Sequence, residues 1–79
     1  MKIKILGSGC TKCNNLEKTV HNVLSELAID AEVQKIGNIM QIMNYGVMQT
    51  PGLVINEELI FSGNVPPKER IKQLLLQHR

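Results

Sequence analysis

Apolar and polar residues alternate at the start of the chain, where Lys2-Ile3-Lys4-Ile5-Leu6 predicts a β-strand over residues 2–6. The segment Gly7-Ser8-Gly9 breaks this strand. From about Thr11 the apolar residues recur at helical spacing, which predicts the buried face of a helix that ends near Ala28. The residues of this face are Leu16, Val20, Val23, Leu24 and Leu27.

The middle of the chain predicts a second strand and a second helix. Residues 31–36 place three apolar side chains among polar ones, which is typical of a strand. Asn38 followed by Gln41 resembles a capping box at a helix start, and Gly46 ends that helix. We expect its apolar face to consist of Ile39, Ile42 and Met43.

The last third predicts a hairpin and a final helix. Residues 53–55 are wholly apolar, as in a strand buried on both faces. Asn56-Glu57 suits a tight turn into a return strand over residues 59–61, which Gly63 breaks. Pro66 and Pro67 introduce the final helix, because proline is tolerated in a first helical turn. Its predicted apolar face consists of Ile71, Leu74 and Leu75.

The element order is therefore β-α-β-α-β-β-α in one α/β domain over residues 1–79. The first βαβ unit predicts a parallel strand pair, and the hairpin adds antiparallel strands. We expect a four-stranded mixed sheet with helices on both faces.

Composition narrows the function classes. Aromatic residues make up only 3% of the chain, so the core must be aliphatic. The net charge of +2 is scattered, and Lys2 and Lys4 fit one solvated face of a strand, so nucleic-acid binding is not expected. No stretch resembles a signal peptide or a membrane span. We expect a cytoplasmic monomer without a membrane partner.

The candidate chemistry lies in Gly9-Cys10-Thr11-Lys12-Cys13, between the first strand and the first helix. Unpaired N–H groups and the macrodipole make a helix N-terminus favourable for a thiolate. They should lower the pKa of Cys10 below about 8.5, and the cation of Lys12 acts in the same direction. The glycines before Cys10 permit close approach of a substrate.

This arrangement predicts disulfide exchange. Cys10 attacks a target disulfide, and Cys13, almost one helical turn later, resolves the mixed disulfide. No cofactor is expected. Two alternatives involve no redox chemistry: the cysteines could be ordinary buried hydrophobic residues, or they could form half of a zinc site. The zinc alternative lacks ligands, because His21 and His78 do not complete a recognised spacing.

Cu(I) binding is a second functional hypothesis, since soft thiolates in an exposed loop suit that ion. Copper chaperones usually carry Met where this chain has Ser8, and their order βαββαβ ends in a strand. A third hypothesis is an interaction module in which Met40, Met43 and Met48 form an adaptable apolar patch. For these residues, we expect Met43 in the core and only Met48 near the cysteines.

Thr50-Pro51 precedes the predicted buried strand, at a position where proline cannot disturb the ladder. A cis bond would turn the Thr50 backbone outward, where it could pair with an extended substrate. The local sequence alone favours trans, because most X–Pro bonds are trans.

These motifs together resemble the thioredoxin superfamily, and within it the small prokaryotic thioredoxin-like redox-active disulfide proteins. The similar segments are residues 2–7, Gly9 to Cys13, Tyr45 to Pro51 and Ser62 to Pro66, and the resemblance extends over nearly the whole chain. The resemblance implies a trimmed thioredoxin or glutaredoxin-like fold without the extra N-terminal strand and helix. It also implies a thiol–disulfide oxidoreductase whose Thr50-Pro51 bond is cis and packs beside the cysteines.

The resemblance implies catalytic roles for Cys10 and Cys13. It assigns pKa tuning or substrate contact to Gly9, Thr11, Lys12, Thr50 and Pro51. The implied partners are disulfide-containing proteins and a thioredoxin-reductase-like electron donor.

The chain departs from thioredoxin proper at several positions. Gly9 replaces a Trp, Thr11-Lys12 replaces Gly-Pro, and Gly52 stands where the small family often has Ala. The first strand has only lysines where thioredoxin has a buried acid. We therefore expect deprotonation of Cys13 to depend on water or another group.

Overall fold

The element order predicted from the hydrophobic pattern is the order found in a computed structural model, which describes residues 1–7 and 11–78. The strands are β1 (Lys2–Leu6), β2 (Glu32–Ile36), β3 (Gly52–Ile55) and β4 (Glu58–Ser62). The helices are α1 (Thr11–Glu26), α2 (Ile39–Asn44) and α3 (Lys68–Gln77).

The four strands form one mixed sheet in the order β2-β1-β3-β4. β1 pairs with β2 in parallel and with β3 antiparallel, so β1 is a central strand. β3 and β4 form the predicted hairpin, in which Asn56 and Glu57 both have positive φ, at 50° and 69°. Hairpin turns of type I′ require positive φ at both central residues.

The main core lies between one face of the sheet and helices α1 and α3. Ile3 and Ile5 of β1 point to this face and are fully buried, which confirms the alternation seen in the sequence. The predicted apolar faces of both helices supply the other side of the core. Its buried helical members are Leu16, Val20, Val23, Leu24, Ile71 and Leu75.

The opposite face of the sheet is covered by α2 and the segment that follows it. Leu6, Val54, Ile42 and Val47 form a smaller buried cluster there. The helix begins as predicted, because the Asn38 side chain accepts hydrogen bonds from the amides of Met40 (2.8 Å) and Gln41 (3.3 Å).

The predicted apolar face of α2 was wrong at two of its three positions. Ile42 is buried, but Ile39 is 70% exposed and Met43 is 58% exposed, so Met43 is not a core residue. The physical reason is that α2 has only six residues, fewer than two turns. One position of such a helix reaches the sheet, and Val47 in the next segment completes the cluster.

Helix α1 ends two residues earlier than predicted, at Glu26, and Leu27 lies in the following turn. Ala28 adopts a φ of +53°. Its amide donates to the Ser25 carbonyl at 3.3 Å, and the Ile29 amide donates to the Leu24 carbonyl at 3.0 Å. These two bonds form a Schellman motif, in which the left-handed residue is usually glycine.

The sequence predicts that Lys4 lies on a solvated strand face, but in the structure its side chain has specific partners. Its ammonium group donates to Glu57 at 2.6 Å and to the Tyr45 hydroxyl at 2.8 Å. These hydrogen bonds raise the pKa of Lys4 to about 12, and the bond to Glu57 makes the largest contribution. The same contacts lower the pKa of Glu57. The cluster connects β1, the end of α2 and the β3–β4 turn.

Candidate active site

The site is built at the point where β1 ends and α1 begins. Leu6 is the last residue of β1, and Gly7 continues the chain with a φ of +116°. The Gly7 amide donates a 2.7 Å hydrogen bond to the Ile36 carbonyl at the end of β2. Gly7 is buried, so the chain leaves the sheet beneath the surface.

Cys13 occupies the first turn of α1 and its side chain is fully buried. Thr11 and Lys12 in the same turn are exposed. This first turn contains no acidic residue, so no carboxylate offsets the positive end of the helix dipole. The turn therefore has the electrostatics that favour a thiolate near its start.

Cys10 and Gly9, together with Ser8, lie outside the described residues. Their predicted roles, and the predicted pairing of Cys10 with Cys13, stay predictions. In the sequence Cys10 directly precedes Thr11, which is the first residue of α1.

The Thr50-Pro51 peptide bond is cis, as the family resemblance implied and against the local sequence preference. Pro51 is fully buried directly before β3, whereas Thr50 is exposed. The Pro51 carbonyl accepts a 2.8 Å hydrogen bond from the Gly63 amide, which connects this loop to the end of β4.

Cys13 and Thr50 are both close neighbours of Gly7. A Cβ placed on Gly7 would lie 2.8 Å from the Cys13 Sγ atom and 2.9 Å from the Thr50 Cβ atom. The sulfur and the threonine side chain therefore both border the space that a side chain on Gly7 would fill. This juxtaposition joins three segments that are far apart along the chain into one site.

The sequence predicts for Gly7 only the end of β1 and a place among the glycines that precede Cys10. The one signal that could have indicated more is a glycine placed between a buried strand and the Cys-x-x-Cys motif. Its closeness to Thr50 depends on the sheet order, which places β3 beside β1.

Two surface grooves adjoin these residues. One is polar in part, has a volume of about 320 Å³ and is lined by Lys12, Asn15, Asn64 and Val65. The other, which we call the apolar groove, has a volume of about 290 Å³ and is lined by no charged residue. It is lined by Ile39, Ile42, Met43, Val47, Met48 and Thr50.

The apolar groove corrects the expectation that Met48 alone would lie near the site. Met43 lines the same groove as Met48 and Thr50, and both methionines are largely exposed. Met40 is also exposed, at 67%, but does not line this groove.

Neither of the two histidines considered as metal ligands adjoins Cys13, and His21 lies eight residues later on the same helix, about 12 Å along its axis. His21 is exposed on α1. His78 follows α3, where its Nδ1 atom lies 2.8 Å from the Leu74 carbonyl and its Nε2 atom 3.6 Å from Glu58. Across residues 1–7 and 11–78, no three His, Cys, Asp or Glu side chains are grouped to hold a metal ion.

The fold and this site define a small α/β protein with a buried cysteine in the first turn of a helix beside a cis-proline loop. Comparison with known proteins agrees with that class. Residues 1–76 match a family described as Thioredoxin domain. The chain belongs to the thioredoxin family, whose members are thiol–disulfide oxidoreductases.

Two relatives are named Thioredoxin. The chain is 45% identical to a thioredoxin of Methanothermobacter thermautotrophicus over 75 residues, which is 95% of this chain and 97% of the relative. It is 38% identical to a thioredoxin of Methanocaldococcus jannaschii over 73 residues, which is 92% of this chain and 84% of the relative. The resemblance and the fold class predicted from the sequence are confirmed.

Proposed function

We propose that this protein exchanges disulfides with target proteins through a reversible disulfide between Cys10 and Cys13. The observation that carries the proposal is the burial of Cys13 in the first turn of α1, within contact of Gly7 and close to Thr50. Membership of the thioredoxin family supports the same chemistry.

The reaction begins with the Cys10 thiolate. It attacks one sulfur of a target disulfide, forms a mixed disulfide and releases the other target sulfur as a thiolate. The helix N-terminus and Lys12 favour the thiolate form of Cys10 before this attack. The exposed position of Lys12 leaves room for a target next to the motif.

Cys13 completes the exchange. Its thiol loses a proton, and the resulting thiolate attacks the Cys10 sulfur. A Cys10–Cys13 disulfide forms, and the second target sulfur leaves as a thiolate. The protein dithiol has then lost two electrons and the target disulfide has gained them. Burial of Cys13 suits this second role, because a target cannot reach it directly.

Thr50 and the two grooves form the target contact in this proposal. The backbone of the exposed residue Thr50 pairs with an extended segment of the target, and the proposal assigns substrate contact to Thr11 and Gly9 as well. Pro51 holds the loop in place from its buried position. A thioredoxin-reductase-like enzyme returns the electrons.

We place the protein in the cytoplasm as a monomer, since paired cysteines close in sequence are typical of redox-active sites in that compartment. Within the described ranges, no helix has both the length and the apolar character needed to cross a membrane.

Trapping of the mixed disulfide tests the proposal. Cys13→Ser should accumulate a covalent adduct with a disulfide-containing protein such as oxidised insulin, because the resolving thiol is missing. Cys10→Ser is the matched control and should form no adduct, since it lacks the attacking thiol. The adduct is detected by intact mass and should disappear on addition of dithiothreitol.

Two results would contradict the proposal. One is the absence of an adduct with either variant while the wild-type protein also fails to form a reversible internal disulfide. The other is stoichiometric Cu(I) binding by the reduced protein without any measurable disulfide exchange.

A further inference from the structure

Gly7 is the residue that the proposed chemistry does not yet use, although it lies at the centre of the site. The position that a Cβ would take on this residue is in close contact with both the Cys13 sulfur and the Thr50 side chain, and the Gly7 amide donates a hydrogen bond to the Ile36 carbonyl. Nonbonded carbon atoms normally approach to about 3.5–4.0 Å, and sulfur is larger than carbon. A side chain at Gly7, with contacts of 2.8 and 2.9 Å, could not fit without displacing one of these neighbours.

We infer that Gly7 is a positioning residue for redox exchange, because its missing side chain sets where the Cys13 sulfur lies relative to Thr50. The inference rests on the proposed function. It goes beyond the backbone freedom of glycine, since it assigns a steric role to the space that a Cβ would fill.

The two redox forms should respond differently to a methyl group at this position. In the dithiol, the Cys13 side chain can rotate about its Cα–Cβ bond and move its sulfur away from residue 7. In the disulfide, the same sulfur is covalently bonded and cannot move away. The added methyl group should therefore disfavour the disulfide relative to the dithiol and make the protein a stronger oxidant.

The chain provides a matched control at Gly46. This residue also has positive φ, at +80°, but a Cβ placed there meets no atom within 4 Å. Gly46→Ala therefore introduces a left-handed alanine without any steric contact. Gly7→Ala introduces the same methyl group in contact with Cys13 and Thr50.

The experiment measures the redox equilibrium of the full chain against dithiothreitol at fixed ratios of its oxidised and reduced forms. The fraction of protein disulfide is read by thiol alkylation and intact mass. For Gly7→Ala we expect the equilibrium constant for disulfide formation to fall by about fivefold or more. For Gly46→Ala we expect it to stay within about twofold of the wild-type value.

Several results would overturn the inference. The first is a Gly7→Ala equilibrium constant within about twofold of the wild-type value, and the second is an equilibrium constant shifted toward the disulfide. The third is an equal change of the equilibrium constant in Gly46→Ala. Each of these results counts only if the wild-type protein does form a reversible disulfide. A wild-type protein that forms no reversible disulfide would instead overturn the proposed function. The two failures are therefore distinguishable.

A Gly7→Ala variant that fails to fold is also informative. The double variants Gly7→Ala/Cys13→Ala and Gly7→Ala/Thr50→Gly remove the two close contacts one at a time. Recovery of folding in either double variant supports the steric role. Recovery only in Gly7→Ala/Cys13→Ala/Thr50→Gly, which lacks both contacts, also supports the steric role. Failure of this triple variant to recover shows that backbone strain alone causes the defect, and this overturns the inference.

Discussion

Replacing Ala28 by glycine should stabilise this protein. Ala28 has a φ of +53° at the end of α1, in the position that glycine usually occupies in a Schellman motif. The left-handed conformation costs an L-residue about 1–2 kcal/mol because Cβ crowds the following carbonyl oxygen. Glycine has no Cβ and does not incur this cost.

An opposing effect limits the gain. Glycine increases the entropy of the unfolded chain, which costs the folded state about 0.4–1 kcal/mol relative to alanine. The exposed methyl group of Ala28 contributes little burial. The difference predicts a free energy of unfolding that is higher by about 0.5–1 kcal/mol. For a domain of this size, the corresponding rise in Tm is about 2–8 °C.

Urea unfolding followed by circular dichroism measures this effect, with the protein kept in one redox state. Ser25→Gly is the matched control, because Ser25 is exposed three residues earlier within the right-handed part of α1. That control should lose about 0.5 kcal/mol, since glycine has a lower helix propensity than serine. An Ala28→Gly variant as unstable as Ser25→Gly would refute the assignment of a left-handed cap.

Three further predictions concern α2, the Lys4–Glu57 pair and the apolar groove. Asn38→Ala should lower the free energy of unfolding by about 1 kcal/mol in urea titrations, because it removes the side-chain cap of α2. The pKa of Glu57 is below 4.5 in the folded protein, so its contribution to stability is present above pH 4.5 and is lost as the pH falls through the folded pKa. Acid titration followed by circular dichroism should therefore give a shallower loss of stability for Glu57→Gln. The pKa of Lys4 is raised from 10.5 to about 12, so its contribution is present below pH 10.5 and is lost as the pH rises toward 12. Met48→Lys should slow insulin reduction without changing Tm, because Met48 is 91% exposed and lines the groove beside Thr50.

Each of these predictions has a control that separates its cause from a general effect. Asn44→Ala changes the same residue type within α2 and should leave stability nearly unchanged. Glu69→Gln removes an exposed carboxylate from α3 and should leave the acid slope as in wild type. Leu76→Lys adds a charge at an exposed apolar residue on α3 and should leave the insulin rate unchanged. Equal effects in a variant and its control would contradict the corresponding explanation.

The parts of the fold that follow from local periodicity could be predicted from the sequence. The alternation around Ile3 and Ile5 and the helical spacing around Val20 specify buried faces directly, and both faces are buried as expected. Helix α2 could not be predicted to the same depth. A helix of six residues has too few turns for its apolar positions to define one face, so Ile39 remains exposed.

Features that depend on long-range contacts were beyond local reasoning. Lys4 acquires its partners Tyr45 and Glu57 only when three separate elements meet. The steric role of Gly7 depends on Thr50, which the sheet order brings next to it. The cis bond at Pro51 is disfavoured by local sequence statistics, and it followed only from the family resemblance.

The proposed exchange mechanism requires that the start of α1 makes Cys10 an unusually acidic thiol. The rate of iodoacetamide alkylation of the reduced Cys13→Ser variant, followed as a function of pH, measures the pKa of Cys10 without interference from the second cysteine. We expect a midpoint clearly below about 8.5, the value of an ordinary cysteine. A midpoint at or above that value would show that the helix start does not activate the thiol, and it would contradict the proposed exchange mechanism.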